Sequence, residues 1–501
     1  MANSAGQILA NLRASASVFK VGLGSALGAS PFLEQKIAVM VEANTDQQSE
    51  GAQDGGMLTP INSKEVALKF GYGSLAHLSA ITLLDELQVG VIVKYFFVPE
   101  SGGGTVTSSV MTGTGATVTK TGSLVLSIND KKVVIGLVLG DTLAEVLVNV
   151  KTAINAEINL PVLVSTATPT TDVDIDTKWK GQSSADINVS VFSNDSEGIT
   201  FAIVKTDGTG EVIPTAELAK FQNDWYVHIL NGLGEGTAGG ILDAYETFIG
   251  TPALGSGKYA PANMTPAIAW TSTVESVQAT LTGVTDARKD SSANCYLPVP
   301  NAQDIPFINA CNAAGAFVKL SNGDPKQDIL GLKIPSSTPP DDGDVGGIID
   351  LGFRDVLVKA GCSTVNYIED NYIAQDILTT YHPLGETDPI FATVRINMIV
   401  FNILNAFKAY NATQMGKTIA PNAQASATVT SPKLYFAGVI NEIIVPFVNL
   451  GYIADLKYAE EQLRVEINAS NAGRFDVLSP NLITSLLRII AVEVQVNKFY
   501  S

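Results

Sequence analysis

The chain has 501 residues, 46% hydrophobic and 16% charged, more than one hydrophobic core needs, so about two to four compact units are expected. Thirty-one Lys and Arg against 49 Asp and Glu give a formal net charge of -18, with no cluster of five or more basic residues, which argues against a nucleic-acid partner because phosphate binding relies on neutralising cations. The longest apolar runs, such as residues 133–139, are far shorter than a bilayer requires, and the first residues carry no basic stretch leading into an apolar one, so neither membrane insertion nor Sec-type export is expected and the chain should fold in the cytoplasm.

Residues 1–30, the N-terminal arm, are small and polar apart from one apolar stretch in which Phe19, Val21 and Leu23 share a strand face. Such a segment has no core of its own and is expected to dock as an extended strand on a neighbouring subunit. Residues 31–103 form the first part of a core. A helical pattern starts at Ser63, pauses at Phe70-Gly71-Tyr72-Gly73-Ser74, and resumes through Leu75, Leu78, Leu83, Leu84 and Leu87. Ser74 is the expected N-cap of the second helix. Val91, Ile92, Val93, Tyr95, Phe96, Phe97 and Val98 then read as a buried strand.

After Ser101-Gly102-Gly103-Gly104-Thr105 the composition turns to Thr, Val, Gly, Asp and Ser until about residue 212, and residues 104–212 read as an inserted β-rich domain. Inside it, Thr142 and Glu145 form a capping-box pair ahead of Leu143, Val146, Leu147, Val150 and Ile154, which share one helical face. Leu124, Leu126 and Ile128 alternate before the turn Asn129-Asp130-Lys131; Val173 and Ile175, then Ile187, Val189 and Val191, alternate after the helix.

Residues 213–385 alternate short apolar runs with helical patterns, an α/β domain, and include the amphipathic face Ile349, Phe353, Val356, Leu357 and Ala360. Residues 386–486 form a C-terminal core domain with a long helix marked by Ile396, Ile399, Val400, Ile403, Phe407 and Tyr410. In the C-terminal arm, residues 487–501, Ile490, Val492, Val494 and Val496 alternate with polar residues. A lone terminal strand cannot bury that face, so it too is expected to pair between subunits. The expected fold class is therefore multidomain α+β: an α/β core with an inserted β-rich domain and extended N- and C-terminal arms. No repeat of solenoid or propeller period is visible.

Residues with chemical potential are scattered. His77, His228 and His382 lie far apart and in no metal-ligand spacing. The run Gly71-Tyr72-Gly73-Ser74 lacks the third glycine, the upstream strand and the lysine of a phosphate loop, and reads as a helix-to-helix turn. Asp172, Asp174 and Asp176 read as the solvent face of a strand, while Asp341, Asp342 and Asp344 follow a Ser/Thr/Pro stretch and read as a solvated loop. Cys295, Cys311 and Cys362 have no nearby His. They read as buried free thiols, with cross-links between subunits as the alternative. No catalytic residue, cofactor or metal is assigned.

The segments Gly122-Ser123-Leu124-Val125-Leu126-Ser127-Ile128, Gly140-Asp141-Thr142, Ala153-Ile154-Asn155-Ala156, Leu160-Pro161-Val162 and Lys178-Trp179-Lys180-Gly181, in that order, resemble the middle of the Mu-like phage tail sheath family. Phe70-Gly71-Tyr72-Gly73-Ser74 is similar to that family's turn before a helix, and Asp376-Ile377-Leu378-Thr379-Thr380-Tyr381 with the later Asp388 to a segment of its C-terminal domain. Ser184-Ala185 stands where the family usually has Gly-Asn. The resemblance spans roughly residues 60 to 500. It implies a virion tail protein assembled in the host cytoplasm, packed as hexameric rings stacked helically around a tail tube, joined by strand exchange of the terminal arms, in contact with baseplate and tail terminator proteins, and contracting to drive the tube through the host envelope. Two rival readings are another self-assembling virion surface protein, a capsid or adhesin subunit, and an α/β enzyme with an appended β domain.

Overall fold

The computed structural model describes residues 32–43, 56–236, 240–252, 254–260, 264–386, 389–420 and 428–485. The chain is a multidomain α+β protein, and its organising element is a six-stranded sheet. Strand β1 (Lys36–Ala43) lies in its interior, β2 (Met57–Leu58) caps one edge, and β3 (Ile92–Pro99) lies between them. All five strands other than β2 run parallel. Both faces are covered, which is why residues 37–41 read as an unbroken apolar run and are all fully buried.

Alternation along β3 sorts its aromatic residues between the two faces. Phe97 stacks on Phe70 at 3.5 Å between ring centroids and Tyr95 bonds Ser79 at 3.2 Å, on the side of the helices Ser63–Phe70 and Leu75–Ala80. Phe96 meets Phe221 and Tyr226 on the opposite side, at 4.5 and 5.4 Å. Ser74 caps the second helix as expected, its Oγ accepting from His77 N at 3.2 Å.

Between β3 and the next core strand the chain builds the β-rich module. Its strands are β4 (Val106–Thr114), β5 (Gly122–Ile128), β6 (Lys131–Leu137), β7 (Val162–Val164), β8 (Asp172–Lys180), β9 (Val189–Asn194) and β10 (Thr200–Thr206). They form two antiparallel sheets, in the orders β10-β4-β8-β7 and β6-β5-β9. The helix Leu143–Ala156 opens with the complete Thr142/Glu145 capping box and buries Val146, Leu147, Val150 and Ile154. Asp172, Asp174 and Asp176 alternate with the buried Val173 and Ile175; Asp174 and Asp176 accept hydrogen bonds from Thr166 and Ser165. The Gly-rich break is not a free tether. Thr105 N donates to Thr209 O at 2.9 Å, and the two threonine hydroxyls meet at 3.0 Å, so the ways in and out of the module form a bonded neck.

The chain then returns for β11 (His228–Gly232), β12 (Ile268–Thr273) and β13 (Asn294–Pro298), completing the order β13-β12-β11-β1-β3-β2. The helix Pro306–Ser321 lies over β11 and β12. A hairpin of β14 (Thr364–Ile368) and β15 (Asn371–Asp376) follows, then the 21-residue helix Val394–Gln414. A short pair, β16 (Thr418–Ile419) with β17 (Val429–Thr430), and the helices Pro432–Val439, Val445–Asn449 and Leu456–Gln462 lead to a last hairpin, β18 (Arg464–Asn468) and β19 (Asn471–Leu478).

One sequence expectation is corrected and another extended. The face Ile349, Phe353, Val356, Leu357, Ala360 is not wholly buried, because the helix starts at Leu351 with Asp350 as N-cap, which puts Ile349 in a preceding 3-10 turn and out of phase. Ile349 and Val356 are exposed, while Leu357 and Ala360 are buried. The long helix Val394–Gln414 buries more than one stripe. Val394, Met398 and Phe401 join the core of the large sheet, while Ile399, Ile403 and Tyr410 join a second core with Tyr435, Ile443, Phe447 and Tyr452. A helix with a core on each side needs apolar residues around most of its girth.

Candidate assembly surface

In an open parallel sheet, ligand sites form at the carboxyl ends of the strands, so that crevice is the first place to look for chemistry. Side chains of this protein close it over β11, β1 and β3, while past the ends of β12 and β13 a pocket stays open, lined by Val274, Asn301 and Asp304 and by Asn129, Asp186 and Phe192 of the module. Asn231, near the end of β11, donates to Thr271 Oγ1 at 3.0 Å and accepts from Tyr245 at 3.2 Å; Tyr296 donates to Glu235 at 2.7 Å. Over the ends of β1 and β3 lies the module's turn 181–183. Lys180 N donates to Glu100 at 2.9 Å, Trp179 Nε1 to Ser183 Oγ at 3.1 Å, and Ser183 Oγ to Glu42 Oε2 at 3.3 Å.

The residues singled out in the sequence do not converge. His228 is a core histidine, with Nε2 2.8 Å from Gln35 Oε1 and Nδ1 accepting from Trp270 at 3.1 Å; burial pushes its pKa down to about 3. His77 Nδ1 accepts from Gly73 N, and His382 sits 3.0 Å from Asp286. Asp341 pairs with Lys132 of β6 at 3.1 Å. Among the described residues no group of three or more His, Cys, Asp or Glu is placed to share a metal, and no helix is long and apolar enough to cross a membrane.

Cys295, Cys311 and Cys362 are free and fully buried. Burial pushes the Cys295 thiol up to about 12 and the other two well above their usual range. A thiol so placed is neither ionised nor reachable. A cross-link between copies would need local opening first, and a disulfide-exchange reagent should label the native chain far more slowly than the denatured one, which should take up all three. Rapid labelling of the native chain would show that these sites open freely.

The surface that remains incomplete lies in the C-terminal layer. In the described residues β18 and β19 pair only with each other, so both outer edges of the hairpin offer unpaired backbone groups. Their register puts Val465 opposite Val477 and Ile467 opposite Phe475, on one apolar face. Phe475 packs against Tyr435 at 5.6 Å and Val465 joins the second core, but Val477 stays 38% exposed. Helix Pro432–Val439 therefore covers only part of this face. An isolated two-stranded hairpin is marginal in water, and a third strand would extend both its ladder and its apolar face.

Both ends of the described chain are anchored in the same layer. At one end Phe32 packs on Tyr452 at 6.1 Å, and Leu33 N donates to Asn402 Oδ1 at 2.7 Å. At the other, Ala454 N donates to Leu482 O and Thr484 N to Tyr452 O, at 2.7 and 3.0 Å, while Arg395 donates to Thr484 O at 2.9 Å. Residues 32–33 and 482–484 are thus held in one layer around Tyr452 and the helix Val394–Gln414. The arm residues Phe19, Val21 and Leu23, and Ile490, Val492, Val494 and Val496, lie outside the described residues. Sequence reasoning missed Asn402 and Arg395, which fix these tethers. Their one visible signal is polarity inside an otherwise apolar helical pattern.

No family model matches the chain, and no curated protein does. Among solved structures it is similar to the sheath tail protein of Desulfitobacterium hafniense, at 13% identity and a TM-score of 0.46 over 94% of this chain and 100% of that one. It is similar also to a sheath tail protein of Listeria innocua, at 12% identity and 0.44 over 90% and 92%. The sheath of an extracellular contractile injection system in its contracted state gives 9% identity and 0.45 over 97% and 98%.

Proposed function

We propose that this chain is the sheath subunit of a contractile tail or related injection machine, packing as stacked rings around an inner tube and shortening to drive that tube through a cell envelope. The observation that carries the reading is the convergence of both ends of the described chain, residues 32–33 and 482–484, on one layer, beside a hairpin whose two edges are unpaired among the described residues. Terminal segments with period-2 apolar patterns and no core of their own are suited to pair with such edges on a neighbouring copy. Strand exchange of that kind lets rings slide and rotate without losing their links, while the bulk of each subunit repacks as a rigid body. The ordered series of sheath-like motifs in residues 70–181 and 376–381 agrees with it. In this reading the inner tube, baseplate and tail terminator are the other partners, and the particle's tail is its location.

Negative-stain microscopy of the purified chain is the direct test. Tubes or polysheath with a lumen wide enough for an inner tube are expected. Isometric shells or isolated thin fibres would displace this reading in favour of a capsid or adhesin subunit.

A further inference from the structure

The module does more than rest on the sheet. Glu42 is the last residue but one of β1, and Glu100 directly follows β3 on the adjacent strand, where Ala43 pairs with Pro99. Two carboxyls therefore stand side by side at the carboxyl edge of the sheet, under residues 181–183 of the module. Glu42 is 6% exposed, and its Oε1 is buried with no hydrogen-bond partner. Gly181, at a φ of +94°, presses so close that a Cβ there would meet both Glu42 oxygens at 2.4 Å. The charged and polar groups around the carboxyl are Glu100 beyond β3 and, from the module, Lys180, whose N–H goes to Glu100, and Ser183, whose hydroxyl reaches Glu42 Oε2.

A buried carboxylate next to a second carboxylate is unfavourable unless one of them keeps its proton. We propose that Glu42 and Glu100 form a proton-operated latch between the sheet and the inserted module, shut while the pair holds a proton and loosened when both carboxyls are ionised. Burial, with Glu100 adding to it and the Ser183 hydrogen bond opposing, pushes the Glu42 carboxyl from 4.5 up to about 9. The folded pKa lies above the unfolded one, so the latch's contribution is complete below the unfolded value and drains away as pH rises to the folded one. Acidification tightens the module onto the sheet, and alkaline conditions release it. The inference concerns the single subunit and does not depend on what it assembles into.

The test is hydrogen–deuterium exchange of the full chain, comparing Glu42→Gln with wild type at each pH so that the intrinsic pH dependence of exchange cancels. Peptides covering residues 101–107 and 178–186 report the junction. Protection in E42Q relative to wild type is expected to grow about tenfold or more between pH 6 and 9, since each pH unit across a titration contributes up to tenfold. A ratio that stays flat would overturn the latch. Should E42Q not fold, infrared spectra of the wild-type chain decide instead. Asp186 and Asp304, each pushed up to about 7 by burial, are mostly ionised by about pH 8, so a protonated-carboxyl band that persists there and vanishes near pH 10 supports the proposal. A wild-type chain with no such band at about pH 8 refutes it.

Discussion

Deleting residues 487–501 is expected to leave a soluble, folded chain that no longer builds extended tubes. The last described contacts of the chain, at residues 482–484, stay in place in this variant, so the second core around Tyr452 keeps its boundary. What is lost is Ile490, Val492, Val494 and Val496, the apolar alternation proposed to pair with another copy. Four such side chains at about 1.5 kcal/mol each come to about 6 kcal/mol per contact before ordering costs, or a factor of about ten thousand in association. Val494→Pro should act nearly as strongly, because proline cannot donate to a ladder and clashes within a paired strand. Circular dichroism and thermal melting check the fold; sedimentation and microscopy check assembly. Normal contractile tubes from the truncated chain would rule out an inter-subunit strand at this end.

Gly73→Ala should cost the junction about 2–4 kcal/mol, the upper part of the usual range for a single substitution. Gly73 has a φ of +76°, where a side chain costs roughly 1–2 kcal/mol. It also lies directly against the module: an added Cβ would meet Leu160 O at 2.1 Å, Lys178 Nζ at 2.6 Å and Ile158 O at 2.9 Å. Two of those atoms are backbone and cannot swing aside. Lys178 closes the same contact, donating to Tyr72 O at 2.9 Å and Ile158 O at 2.7 Å, and desolvation there pulls its pKa down to about 8. Gly140→Ala is the matched control, since Gly140 also has a positive φ, +95°, but nothing within 4 Å of its Cβ position. Calorimetry should show a lowered or separated module transition for G73A and only a small shift for G140A. Equal shifts would mean that the turn's backbone conformation matters and its contact with the module does not.

That pair of glycines illustrates how legible the chain was. Phe70-Gly71-Tyr72-Gly73-Ser74 was readable as a turn with Ser74 as N-cap, because capping is decided within four residues. That Gly73 is small in order to admit the carbonyls of residues 158 and 160 was not, since nothing local marks a contact some 85 residues away in sequence. The same holds at Glu42, whose neighbours in sequence give no sign that Glu100 and the turn at Gly181 close over it.

The amino-acid sequence by itself determined the local elements: the strand at β3, the capping box at Thr142, the alternation in β5 and β8, the long helix from Val394, and the place where a β-rich module interrupts an α/β pattern. These follow from propensity, period and capping, which act over a few residues. Tertiary structure alone decided which faces are shared. It put a core on each side of the helix Val394–Gln414 and left Ile349 and Val356 exposed. It bonded the Gly-rich break into a neck, laid the module's turn over the ends of β1 and β3, and brought residues 32 and 484 together at Tyr452. Each of these depends on contacts between segments far apart in the chain, whose pairing is set by the summed burial of the whole fold and carries no short-range signature.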